Sequence, residues 1–376
     1  MTTAVQAPTR LGGVDAARGL AVLGMVAVHV LPRTADDGGP SLPYVLASGR
    51  AAAAFAVLAG VGVALATARA GEGRALQRGR LLVRAAAVGA VGLTLGALET
   101  GVLVILAYYA VFFVLLLPFL GWPPRRLLVT AGLVAVAAPV LGFALRPSLT
   151  GLDGGNPTWG SLASPVRLAS DLLLTGVYPA VPWSAYLLTG LAVGRLALGS
   201  DRTAAALATA GAGLAASAWG LSALLLGPLG GASALAGVLG LPDVQAVEDV
   251  LDDGQYGSVP TDSWWWLAVA SRHSSTTLDL VGTTGTALLA LGLCLLLVPR
   301  AGGLLEPLTA VGSMPLTTYS AHLLVLHLTD AGAPVRSYVL QVAGALVLAT
   351  LWRRAIGRGP LEAAVAAAAR TVRAPT

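Results

Sequence analysis

Apolar runs of membrane length, separated by short polar breaks, organise this 376-residue chain. About 20 apolar residues suffice for a helix to cross a bilayer, and the order of such runs predicts about ten crossings. The first runs from about Val14 to Leu31 and the second from Pro43 to Ala68, with Arg50 near one end and Gly60 and Gly62 near its middle. The third covers Leu81 to Leu98, the fourth reaches Leu120 and the fifth ends near Leu145. The sixth to tenth are Trp183 to Leu198, Ala204 to Leu226, Thr276 to Val298, Leu308 to Leu328 and Pro334 to Trp352. Val166 to Thr175 is too short to cross and reads as a re-entrant or interfacial helix.

The expected fold class is therefore all-α: a polytopic integral membrane bundle of about ten helices plus that short element, with both termini cytoplasmic. The division that follows is a tail over 1–13, a transmembrane domain over 14–353 and a tail over 354–376. Gly227 to Ser275 is the largest polar segment of that domain, with six acidic residues from Asp243 to Asp262 and an aromatic cluster, Trp264 to Trp266. It reads as an outer loop, lying over a cavity mouth or simply solvated beside an aromatic anchor.

Composition agrees. The chain is 56% hydrophobic and 11% charged, against roughly 25% charged residues in soluble domains. Every basic residue is arginine and the net charge is +5. The arginines gather on the segments this order leaves inside, as at 69–84, 125–126 and 353–358, which is how membrane proteins set orientation. The balance thus speaks for membrane lipids as surroundings and not for nucleic acid. Cys294 is the lone cysteine, so no intramolecular disulfide forms. Neither a phosphate-binding GxxxxGK[ST] loop nor a CxxC motif occurs.

One stretch breaks the lipid-facing pattern. In RLGGVDAARGLAVLGMVAVHVL, positions 15, 18, 22, 25 and 29 form one helical stripe at roughly 100° per residue, carrying Asp15, Arg18 and His29. Ionisable groups inside a bilayer are costly unless they pair or line a polar space. A boundary ion pair and an interfacial histidine would explain the three separately; their shared stripe favours a functional seam. Asp15 and Arg18 stand 14 and 11 residues from His29, roughly 16–21 Å along a helix. The expectation is a continuous cavity joining a cytoplasmic recognition point to an external reaction centre.

All four histidines, His29, His273, His322 and His327, fall on the external side of this topology. A histidine near neutral pH suits a general base, or a transient acyl carrier. His29 is the first candidate and His322 the second, the latter within SMPLTTYSAHLLVLH. Asp279, at the start of the eighth span, is placed to orient either of them. His327 is turned about 140° from His322 and reads as interfacial. The histidine spacing holds no HExxH-like pattern, and no metal site is assigned. Arg50 and Arg272 lie on the outer side against the orientation bias, as holders of phosphate or carboxylate.

The opening helix, RLGGVDAARGLAVLGMVAVH, resembles that of the transmembrane acyltransferase superfamily, particularly bacterial relatives of heparan-alpha-glucosaminide N-acetyltransferase and YeiB-like membrane proteins. YPAVPWSAYLLTGLAVGR, RHSSTTLDLVGTTGTALLALGLCLLL and LTAVGSMPLTTYSAHLLVL extend the likeness to Leu326. The resemblance implies an enzyme of the bacterial inner membrane. Its acyl donor is acetyl-CoA or another acyl-CoA, and its acceptor an envelope glycan, amino sugar or lipid-linked molecule. It also implies a base at the outer part of the first helix, here His29. Asp15 and Arg18 match the family's opening pair, which holds the bundle or the cofactor route, with Arg50 and Arg272 as further cofactor-binding candidates. The eukaryotic enzyme's histidine in the loop after that helix has no counterpart between His29 and Arg50.

Two other readings stay open. A transporter or flippase would suit ten spans, a broken segment at 166–182 and abundant glycine, although no inverted repeat is visible and the ionisable groups avoid the midplane. A scaffold would use the stripe only for packing. Monomer or homo-oligomer is not decided by the sequence.

Overall fold

The computed structural model describes residues 11–68, 73–149, 151, 154–329 and 332–373. The expected tail at Met1 to Thr9, together with Arg10 and Arg69 to Glu72 of the arginine-rich linker, lies outside the described residues. The regular structure among the described residues is helical, apart from one isolated bridge between Thr34 and Pro40.

The chain is an all-α, multi-pass membrane bundle. Among the described residues seven helical segments are long and apolar enough to cross a membrane, or eight if one bent pair counts as a crossing. The order opens with α1 (Gly12–Val30), α2 (Leu42–Ala47), α3 (Arg50–Thr67) and α4 (Arg74–Gly96). It continues with α5 (Leu106–Leu116), α6 (Pro124–Leu145), α7 (Pro165–Ser170), α8 (Ala180–Val193) and α9 (Asp201–Leu226). Then come α10 (Gly231–Leu239), α11 (Val244–Asp253), α12 (Thr277–Leu297), α13 (Glu306–Ser313), α14 (Pro315–Leu328), α15 (Pro334–Ala355) and α16 (Pro360–Arg370).

Three expected spans prove to be broken or short, each for a local reason. The second is interrupted at Ser48 and Gly49, where Gly49 takes φ +73° between α2 and α3, a conformation glycine adopts without a Cβ clash. The ninth breaks at Met314 because Pro315, which opens α14, has no N–H to continue α13 and disfavours helical backbone before it. The fourth reaches only from Leu106 to Phe119. The short element at 166–175 is present: α7 runs on as a π-helical turn to Thr175 and meets α8 at 55°. The 227–275 segment is more ordered than a plain loop, holding α10, α11 and the 3-10 turn Trp264–Ala268, with Trp266 buried in a small second core.

Helices approach most closely where glycines face backbone. A Cβ on Gly60 would meet the Leu187 carbonyl, and one on Gly190 the Val57 carbonyl, so α3 and α8 pack almost backbone to backbone. Gly312 of α13 sits in the same way against the Asp15 carbonyl of α1. Small residues permit such contacts where lipid supplies no hydrophobic drive for association. Beyond α13, Arg354 of α15 forks onto Glu306 at 3.0 and 2.6 Å. The alanine-rich C-terminal segment is helical, and Glu362 of α16 accepts from Leu316 N, Thr317 N and Thr317 Oγ1 at the start of α14.

Gly312→Val should push α13 from α1, costing roughly 1–3 kcal/mol as overpacking does and lowering the melting temperature of the purified protein. Gly344→Ala in α15, where a Cβ meets nothing within 4 Å, should leave that temperature unchanged or raise it.

Candidate functional site

The last turn of α1 carries His29, and α14 carries His322. Between their Nδ1 and Nε2 atoms lie 3.1 Å, with the rings 5.3 Å apart and only 10° from parallel. Two histidines 293 residues apart in sequence thus form one pair. On its far side His322 Nδ1 lies 2.6 Å from Gln341 Oε1 of α15, and Gln341 Nε2 is 3.0 Å from Ser337 Oγ. The Tyr319 ring stands edge-on to His29 at 6.3 Å.

His29 also lines a cavity of about 210 Å³. Its wall collects the ends of several elements: Arg33 and Tyr44 after α1, Thr100 to Leu103 after α4, Tyr178 before α8, Asp253 to Tyr256 after α11, and Arg272 and His273 before α12. Their alternation in chain order puts all of them at the end of the bundle where α1 finishes. Hydrogen bonds fix this rim. Tyr44 donates to the Asp253 carbonyl at 2.8 Å, Arg33 to the Tyr256 hydroxyl at 2.9 Å, and Tyr178 to the Leu103 carbonyl at 3.0 Å. The Asn156 amide holds Val102 O and Val104 N, both at 2.7 Å.

His273 comes to this site although the sequence offers it only as an external histidine. It takes φ +57° and Ser275 φ +52°, conformations that cost energy and persist where the surroundings enforce them. Here the enforcement is visible. Gln255 N and Gly257 N donate to the Arg272 and His273 carbonyls at 2.7 and 2.8 Å. Trp183 Nε1 donates to Ser275 Oγ at 3.2 Å. Asp279 Oδ2 accepts from Ser275 N at 3.0 Å, while Asp279 N donates to the Thr276 N-cap hydroxyl.

Asp279 therefore does not take the place expected of it. It forms no hydrogen bond to His29 or His322 among the described residues; it is buried at the start of α12 and holds the turn that presents His273. The side chain beside the histidine pair is Gln341. The sequence carried a usable signal for it: Ser337 and Gln341 are a polar pair, one turn apart, at the head of the apolar run of α15.

The arginine candidates separate. Arg272 lines the cavity, stacks over Tyr44 at 4.8 Å and reaches the Asp252 carbonyl and carboxylate at 2.5 and 3.4 Å. Arg50 lies outside the cavity lining, over the Trp219 ring at 4.7 Å, with a guanidinium nitrogen on the Val45 carbonyl. Asp15 and Arg18 form an ion pair at 3.0 Å at the opposite end of α1, Asp15 fully buried. The charges of Arg18, Arg358 and Glu362 reach Arg84 there.

The cavity that His29 lines does not extend to Asp15 or Arg18. The cavity ends at His29, and Val22 and Met25, on the same stripe of α1, are packed in the core between the two ends. His327 is exposed, on the far face of α14 from His322. Among the described residues no group of three or more His, Cys, Asp or Glu side chains is placed to hold a metal ion.

The architecture and the site define an integral membrane protein with a paired-histidine centre at one end of its bundle. The sequence profile of the heparan-alpha-glucosaminide N-acetyltransferase catalytic family matches residues 10–225, more than half of the chain, and the chain belongs to that family. Membership supports membrane acyltransferase-like chemistry. The matched span includes His29 but ends before His273, His322 and Gln341. A comparison with curated proteins finds no match.

Packing of the His273 ring between Tyr178 and Trp183 removes it from water and holds its imidazole down at about 4. Between the ordinary value of about 6.5 and that value, the unfolded chain binds a proton that the folded one refuses, so acidification across this window destabilises the fold. Melting temperatures at pH 7 and pH 4.5 should show a larger drop for the wild type than for His273→Gln.

Proposed function

We propose that the protein transfers an acyl group, acetyl in the first instance, from an acyl-CoA to a hydroxyl or amine. The acceptor is an envelope saccharide, an amino sugar or a lipid-linked molecule at the bacterial plasma membrane. The observation that carries this reading is His29 on the wall of a polar and aromatic cavity, with Nδ1 engaged by His322 and no described residue hydrogen-bonded to Nε2. At about 210 Å³ the space falls below the roughly 300–1,000 Å³ of drug-sized ligand sites. It suits one acceptor residue and not a whole acyl-CoA.

His29 Nε2 takes the proton from the acceptor oxygen or nitrogen as that atom attacks the thioester carbonyl. The tetrahedral adduct collapses with cleavage of the C–S bond, and the imidazolium returns the proton to the departing thiolate. In a two-step relay the same Nε2 lone pair would carry the acyl group. Arg33, Arg272 and the rim tyrosines hold the acceptor. The phosphate-bearing donor is met at the other end of α1, where Arg18, Arg84 and Arg358 concentrate positive charge. Asp15 holds Arg18 in that role. The packing of Val22 and Met25 is the closed state of the donor's route.

The same proposal includes ten crossings with both termini cytoplasmic, enclosing an acyltransferase domain over 14–353 between tails at 1–13 and 354–376. Beyond the seven clear spans, the remaining three are the bent α7–α8 pair, α5, and α13 with α14. The arginine distribution supports the orientation.

Labelled acetyl-CoA and glucosamine, the amino sugar in the family's name, supply the assay with membranes containing the protein. His29→Ala should lower label transfer by about 10²-fold or more while its elution and melting behaviour stay those of the wild type. Transfer at the wild-type rate removes the base role, and flux of glucosamine without a labelled product favours transport instead.

Orientation is checked in a Cys294→Ala background. A membrane-impermeant maleimide added to intact cells should label Ser258→Cys and spare Gly303→Cys; the reverse pattern inverts the topology.

A further inference from the structure

We infer that Gln341 of α15, acting through His322, fixes which nitrogen of His29 carries the hydrogen, so that Gln341 and His322 are positioning residues for the base. The inference rests on the reading of His29 as the base and adds what makes it one.

Gln341 Nε2 donates to Ser337 Oγ, and Gln341 Oε1 faces His322 at 2.6 Å. An amide oxygen accepts and cannot donate, so His322 Nδ1 carries the hydrogen. A neutral imidazole has a single N–H, which makes His322 Nε2 an acceptor. His29 Nδ1, 3.1 Å away, must then be the donor. The tautomer of His29 is thereby set to Nδ1–H, and Nε2 keeps its lone pair for the cavity that His29 lines. No hydrogen bond to His29 Nε2 is formed by any described residue.

Without the amide oxygen nothing holds the hydrogen on His322 Nδ1. His322 would then be free to carry its hydrogen on Nε2 and present it to His29, whose Nδ1 would have to accept. Nε2 would carry the hydrogen into the cavity, and a base would become a donor. Gln341 does this without a charge: its side chain neither takes nor gives a proton, so the relay ends at α15. The titratable and charged groups around His29 are His322 and Tyr319 from α14, His273 from the turn before α12, and Arg33, Arg272, Asp253, Tyr178 and Tyr256 on the cavity wall. Among the described residues His322 Nδ1 has Gln341 as its hydrogen-bond partner.

The direct test is nitrogen NMR of ¹⁵N-histidine-labelled protein in nanodiscs at pH 8, with His29 and His322 assigned by His→Gln variants. Both should appear as the Nδ1–H tautomer. A His29 signal protonated at Nε2 in the wild type overturns the inference without reference to any substrate. Gln341→Leu, similar in size but without an acceptor, should shift His29 toward the Nε2–H form and lower acetyl transfer to glucosamine at least about tenfold. Gln341→Glu keeps the acceptor and adds charge, so it should preserve both tautomers and move the acid limb of the rate profile upward by about one pH unit or more. Unchanged nitrogen signals and rate profiles in both variants, with His29→Ala inactive, reject the positioning role and leave the base standing. Wild-type transfer by His29→Ala removes the base, while the nitrogen signals still decide whether Gln341 sets the tautomer.

Discussion

An imidazole inside a membrane bundle has two ring nitrogens, and each must find a partner or a polar space, because hydrocarbon supplies neither. The His29–His322 contact answers that demand for one nitrogen of each ring. Much of the surrounding architecture follows from it. α14 must begin near the middle of the bundle, after the break at Pro315, so that its second turn brings His322 beside the last turn of α1. α13 must lie against α1 closely enough to aim α14, and Gly312 on the Asp15 carbonyl sets that closeness. α15 must present a polar pair at the same depth, although Ala349 alone of its residues is buried.

The cavity above the pair is built differently, from loops that regular secondary structure does not hold. Its most constrained part is the turn from Arg272 to Thr276, with two non-glycine residues at positive φ. Such backbone survives only when its neighbours over-determine it. Here the neighbours are the Asp279 carboxylate, the Trp183 indole and two backbone amides from the segment after α11. The 227–275 region is thus part of the cavity's construction and not a cover laid over it. Asp279 contributes by holding a shape, and Arg50 lies over Trp219.

Hydropathy made most of the helices legible, because a long apolar run leaves a chain few alternatives in lipid. The breaks at Gly49 and Met314 were harder to see, since a glycine or proline in an apolar run marks a kink only once neighbouring helices decide the geometry. At the site, His29 and His322 were legible as ionisable residues out of place in membrane helices. Their contact was not, because it joins positions 293 residues apart. Asp279 was read as a histidine partner from its charge and its place at the start of the eighth span, whereas the side chain beside His322 is Gln341, neutral and set in an ordinary-looking span. The passage expected along the α1 stripe met Val22 and Met25, which share the stripe's face but pack as core. A shared helical face establishes direction and not emptiness.

The far anchor of the histidine pair sits on the helix with the least protein around it. Val335, Val339, Leu340, Val347, Leu348 and Leu351 of α15 are all exposed, an apolar face of the kind that a bilayer covers with acyl chains. The choice of solubilising detergent thereby becomes a chemical variable: an amphiphile that lets α15 drift by an ångström would disarm the centre in a preparation that still looked intact by spectroscopy and chromatography.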